Sequence, residues 1–184
     1  MHSAIAMVEL SSIAKGMEVT DFMLKSAEVT LLMGKTICPG KYVVMVGGDV
    51  AAAQQALRCG VEKGGSLVVD EFLLSNIHPD VLPAIGGVTD INARAAVGVV
   101  ETFSVATCIE AADFAVKSAA ITLIRLHMAY GIGGKCYFVM SGDVADVETA
   151  KNAASQVAAD KGALVYSMVV ANPHADFWRQ LTAG

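Results

Sequence analysis

The chain carries the same message twice. Ala4-Ile-Ala-Met-Val-Glu9 is matched by Ala96-Val-Gly-Val-Val-Glu101 at an offset of 92. At that offset Asp21-Phe22 returns as Asp113-Phe114, Lys25-Ser26-Ala27 as Lys117-Ser118-Ala119, and Thr30-Leu31 as Thr122-Leu123. Gly40-Lys41 and Gly48-Asp49-Val50 return as Gly134-Lys135 and Gly142-Asp143-Val144, now 94 apart, so the second copy has two extra residues in the loop between. Asn76-Ile-His78 and Asn172-Pro-His174 complete the series. A repeat of this length means one supersecondary unit used twice. The 184 residues are therefore read as two compact domains, 1–88 and 89–184, joined by a linker at Gly86-Gly87-Val88-Thr89-Asp90 after Pro79 and Pro83.

Each copy has the same order of elements. Residues 4–10 and 96–101 are rich in β-branched side chains and read as strands. Val19, Phe22, Met23 and Ala27 then fall at helical spacing, as do Ala111, Phe114, Ala115 and Ala119. Strands follow near 29–33 and 42–46, and near 121–127 and 136–140. Asp49 and Asp143 open Ala-rich helices, where a carboxylate can accept an otherwise unpaired N–H of the first turn. Gly64-Gly65 and Gly162 close those helices, and last strands lie near 66–74 and 163–170. The order β-α-β-β-α-β, twice, is a ferredoxin-like α+β pattern. A short capping helix with the single tryptophan, Trp178, is expected at Asp176–Leu181. A duplicated domain of this kind can build a pseudo-symmetric ring in which each chain fills two positions.

Apolar residues make up 54% and charged residues 17%, which excludes a disordered chain and points to surface laid against other copies. The longest apolar runs, Tyr42–Val46 and Ala95–Val100, fall far short of the roughly 18 residues of a membrane span. Met1-His2-Ser3 lacks a basic stretch, so no secretory leader is expected. Net charge is −5 with no basic stripe, which argues against a nucleic-acid partner. Four cysteines without an export signal suggest reduced thiols or metal ligands more than disulfides.

Cys38 sits in Thr36-Ile-Cys-Pro-Gly40 between two strands. Pro39 restricts φ and Gly40 accepts unusual angles, so the turn is tight and presents the thiol outward. A thiolate suits iron–sulfur ligation, and Cys-Pro is a common pair at cluster ligands. On the residues alone the alternative stands beside it: a small buried cysteine. Cys59 and Cys108 on Ala-rich helices, and Cys136 at a strand opening, read as core filler. The Gly131-Ile-Gly-Gly-Lys135 loop lacks the Walker spacing and runs into a strand, so it reads as a tight loop rather than a phosphate cradle. By duplication it is the counterpart of the Cys38 loop, with Tyr130 in the cysteine's place. His2, His78, His127 and His174 have no ligand spacing, and His78 and His174 read as turn residues. Glu9 and Glu101, at equal positions in half-buried strands, read as fixed partners of a backbone group or a lysine. Met17, Met23, Met33 and Met45 read as core gap fillers. No Ser-His-Asp or Cys-His arrangement can be assembled, so no enzyme is expected.

The opening A-x-G-x-V-E pattern, the D-x-x-x-K-S-A helix end and the G-K…G-D-V junction together resemble bacterial microcompartment (BMC) shell domains, over nearly the whole chain. Lys35-Thr-Ile-Cys-Pro-Gly-Lys41, with His127-Met-Ala-Tyr-Gly-Ile-Gly-Gly-Lys-Cys136, is similar to the tandem-domain, trimeric, iron–sulfur type of shell protein of propanediol-utilisation microcompartments. The resemblance implies a flat, pseudohexameric homotrimer that tiles with other shell proteins in the cytoplasm. It implies one [4Fe-4S] cluster per trimer on the three-fold axis, ligated by Cys38, with Pro39, Gly40, Tyr130, Gly131, Gly133 and Gly134 in the pore loops. Lys25 and Lys117 match the family's tile-edge lysine. The implied role is electron transfer across the shell, or cluster delivery, with an encapsulated or cytosolic redox enzyme as a further partner. Ala6 stands where the family has glycine, and Asn172 where many members have arginine. Two other readings are weighed beside this one: a metal-free shell pore for small metabolites, and a cytosolic ferredoxin-like protein that binds a small molecule.

Overall fold

The computed structural model describes residues 3–87, 89 and 94–182. Val88 and Asp90 of the expected linker, and His2, lie outside the described residues. The chain divides into two compact units, Met1–Ile77 with Ala129–Gly134, and His78–Met128 with Lys135–Gly184.

In the first unit β1 (Ala4–Leu10), α1 (Ile13–Ser26), β2 (Thr30–Ile37), β3 (Lys41–Gly48), α2 (Val50–Gly64) and β4 (Val68–Ser75) follow in order. The strands form one antiparallel sheet, β2-β3-β1-β4, as the ferredoxin-like order requires. Ala6 lies between Val46 and Leu73 at the sheet's centre. Alternate residues of β1, Ala4, Ala6, Val8 and Leu10, pack with Val44 and Val46 against Val19 and Met23 of α1 and Ala53 and Ala56 of α2. Ile5 and Met7 on the opposite face are buried as well, which is why β1 is apolar without a break from Ala4 to Val8. The Ser12 hydroxyl accepts from Lys15 N–H (3.4 Å) and the Asp49 carboxylate from Ala52 N–H (2.7 Å), fixing where α1 and α2 begin. Beyond α2, Gly65 takes a φ of 54°, and its N–H returns to the Val61 carbonyl.

The second unit contains α3 (Val81–Gly86), β5 (Ala96–Thr102), α4 (Val105–Ser118), β6 (Ile121–Met128), β7 (Cys136–Gly142), α5 (Val144–Asp160), β8 (Leu164–Val170) and α6 (Ala175–Thr182). Its sheet order, β6-β7-β5-β8, repeats that of the first. The helix α3 ends at Gly86, the first residue of the expected linker, and no helix was expected there; Pro83 falls in its first turn, where its missing N–H has no intrahelical partner to lose. Asp143 holds the N-cap position of α5 without a side-chain bond; its carbonyl accepts from Val147. The C-terminal helix forms as expected. Trp178 is buried against Val97, Ile124 and Val139, and an Arg125 guanidinium N–H donates to the Leu181 carbonyl (2.9 Å) at the helix's negative end.

The D-x-x-x-K-S-A motif is a helix exit. Lys25 bonds Asp21 (2.6 Å) and Lys117 bonds Asp113 (2.5 Å), one turn back in each helix. The Ser26 and Ser118 hydroxyls donate to the carbonyls of Met23 and Ala115, both at 2.8 Å. Ala27 and Ala119 then turn extended, and their carbonyls accept from Val29 and Ile121 as the next strands begin.

Candidate functional site

β2 ends at Ile37 and β3 begins at Lys41, leaving Cys38, Pro39 and Gly40 as a three-residue turn. The Cys38–Pro39 bond is cis, and Gly40 has a φ of 78°. Pro39 and Gly40 are exposed and Cys38 is half-buried with a free thiol. The turn is tied to Ala129–Gly134, which lies with it in the first unit: Cys38 N–H donates to the Ala129 carbonyl (3.1 Å). Gly134 (φ 86°) makes the approach possible, because a Cβ there would stand 2.6 Å from Pro39 Cδ and 3.0 Å from the Cys38 carbonyl oxygen. Tyr130, Gly131 and Gly133 are exposed in the same loop. Partial burial raises the Tyr130 phenol above its ordinary pKa of 10.0, so at neutral pH it is a neutral donor.

Ion pairs stand at the root of each loop. Lys41, next to Gly40, reaches the fully buried Glu9 at 2.8 Å, and Lys135, next to Gly134, reaches the part-exposed Glu101 at 2.9 Å. Of the two partners expected for these glutamates, a backbone group or a lysine, a lysine stands beside each. Lys25 and Lys117 sit apart in sequence and element, at the ends of α1 and α4; Lys25 is the more exposed, at 72% against 40%.

Cys108 and Cys136 are fully buried, while Cys59 is half-buried with its thiol 3.7 Å from the Phe22 carbonyl. His78 and His174 are turn residues: each Nδ1 accepts the N–H two residues on, from Asp80 (3.4 Å) and Asp176 (3.2 Å). Met23 and Met45 are buried, but Met17 is 57% exposed. Met17 was expected as a core gap filler, whereas its turn of α1 buries Gly16 instead. Among the described residues no three His, Cys, Asp or Glu come together to hold a metal ion, and no helix is long and apolar enough to cross a membrane.

Tyr42 escaped sequence reasoning. Its ring fills a notch left by Gly16, where a Cβ would stand 2.4 Å from the ring, and its hydroxyl reaches Gly34, where a Cβ would stand at 2.8 Å. The signal lay in the repeat alignment: the counterparts of Gly16, Gly34 and Tyr42 are Cys108, Leu126 and Cys136, so two positions gain volume where one loses it.

Two ferredoxin-like units, each with the same helix exit and each with a lysine–glutamate pair at the root of a loop, define a duplicated shell-type domain. The model of the BMC domain matches residues 4–77 and 96–173, and the chain belongs to this family of bacterial microcompartment shell proteins. Along its full length it is 56% identical to the bacterial microcompartment shell protein PduT of Citrobacter freundii, covering all of both chains. The carboxysome shell protein CsoS1 of Prochlorococcus marinus (strain MIT 9313) is 34% identical over 90 residues, 47% of this chain and 86% of that one. Among solved structures, a microcompartment protein from Desulfitobacterium hafniense DCB superposes with a TM-score of 0.84 at 43% identity, covering 96% of this chain and 98% of that one. The protein is thus a structural, non-enzymatic component of a microcompartment shell.

Proposed function

We propose that three copies of this shell protein close around a three-fold axis, bring their Cys38 turns together and hold one [4Fe-4S] cluster, with one thiolate from each chain. The observation that carries the reading is the setting of Cys38: a free, half-buried thiol in a three-residue turn, braced by the second loop. The donor chemistry fits, since thiolates are the usual ligands of such clusters. A single described chain brings no three ligand-type side chains together, so the group needs several copies. Three thiols at an axis also cannot all pair as disulfides.

In this reading the repeats join at 88/89, and Pro39, Gly40, Tyr130, Gly131, Gly133 and Gly134 line the pore. Lys25 and Lys117 meet neighbouring tiles of the shell. Pro39 and Gly40 hold the thiol at the turn, and Gly134 lets the second loop brace it. When bound, the cluster supplies a one-electron couple in a thin protein wall, for electron transfer across the shell to a redox partner or for delivery of the cluster itself.

Iron, acid-labile sulfide and EPR on anaerobically purified wild type and Cys38→Ser test this. About four irons per three chains, lost in the variant, is the expected result. Equal, negligible iron in both overturns it and leaves a shell pore for small solutes.

A further inference from the structure

We infer that the exposed face of α1 receives a second copy of this chain, the Asp21 carboxylate accepting the His174 N–H of the neighbouring copy. The inference rests on the three-fold ring proposed above, though not on its cluster. The second repeat shows the same contact already made. His78 N–H donates to Asp113 Oδ1 at 2.8 Å, and Lys117 bonds Asp113 Oδ2 at 2.5 Å. With a backbone donor on one oxygen and an ammonium on the other, this carboxylate is satisfied while only 2% exposed.

The first repeat holds the same parts without the contact. Asp21 and Lys25 correspond to Asp113 and Lys117 at the offset of 92, and His174 corresponds to His78 at an offset of 96. Lys25 bonds Asp21 Oδ2 at 2.6 Å, which leaves Oδ1, the oxygen that takes the His78 N–H in the other repeat. The two histidine turns are built alike, each Nδ1 accepting the N–H two residues on. Yet among the described residues the exposed His174 N–H reaches no acceptor, and Asp21 is 59% exposed. The rest of the helix face agrees. Ile13 and Met17 of α1 are exposed, whereas their counterparts Val105 and Ile109 of α4 are fully buried. Apolar side chains one turn apart on a single face mark a surface that meets another protein. The donor that fits Asp21 is a histidine turn of this same sequence, so the occupant is a second copy.

Cross-linking of the assembled full chain tests it, in a Cys38→Ser background that removes the thiols proposed for the axis. Asp21→Cys combined with His174→Cys, oxidised with diamide, should give linked pairs and triplets of chains on non-reducing gels. These bands should vanish with dithiothreitol and be absent from either single variant. Asp21→Ala should raise the concentration at which trimers dissociate by about tenfold or more in sedimentation velocity, since each contact is a hydrogen bond to a charged group. Trimers that yield no linked bands overturn the inference and leave the three-fold ring standing. Trimers whose dissociation is unchanged by Asp21→Ala do the same. Single chains at every concentration overturn the ring and the inference together.

Discussion

Glu9 and Glu101 occupy the same place in the two repeats, but the environment separates their energetics. Glu9 is fully buried beside Lys41, whereas Glu101 is 31% exposed beside Lys135. Taking an ammonium from a buried carboxylate is far more costly than breaking a pair that water already screens. Lys41→Met should therefore destabilise by about 3 kcal/mol or more, and Lys135→Met by no more than about 1 kcal/mol. Urea unfolding of the two variants measures the difference, and equal losses would contradict this account. The same reasoning applies to volume. Ala6 faces Val46, while its counterpart Gly98 faces the longer Met140, whose methyl would stand 2.7 Å from a Cβ there. The alanine that departs from the family pattern is matched by a shorter neighbour across the strand.

Among the elements, α6 is the one whose removal has the clearest consequence. Its only buried side chain is Trp178, seated on the sheet among Val97, Ile124 and Val139. Trp178→Ala should cost about 3–5 kcal/mol by opening a cavity over β5, β6 and β7, read as a lower denaturant midpoint. Arg125→Lys, which keeps the charge but loses the planar donor to the Leu181 carbonyl, should cost much less. At the other helix ends, the Asp–Lys–Ser–Ala sequence was legible because each of its bonds joins residues within four positions of each other. The α3 helix was not legible, because two prolines and two glycines in a short stretch carry the same local signature as a linker.

For the whole molecule, membership of a shell family shifts attention from the chain to its edges. Lys25 and Lys117 share a motif but not an environment: Asp21 is 59% exposed, while Asp113 is 2% exposed and also accepts the His78 N–H at 2.8 Å. Lys25→Ala should leave the melting temperature of the dissociated chain within about 1–2 °C of wild type, as exposed substitutions do, yet prevent extended sheets in electron micrographs. Lys117→Ala should lower the melting temperature as well, since a buried carboxylate loses its cation. Normal sheets from both variants would remove the tile-edge role.

The duplication, the β-α-β-β-α-β order, the starts of the helices behind Asp49 and Asp143 and the shell family were readable from the residues. They rest on periodicity, on caps within one turn, and on a motif repeated at equal spacing. Tertiary structure alone decided that the 129–134 loop braces the Cys38 turn, that Met17 faces outward, and that Tyr42 lies in a notch cut by Gly16 and Gly34. Each of these depends on close approach between positions far apart in the chain. Local propensity is silent there, and only packing, which allows a ring and a Cβ no shared space, determines which side chain ends where.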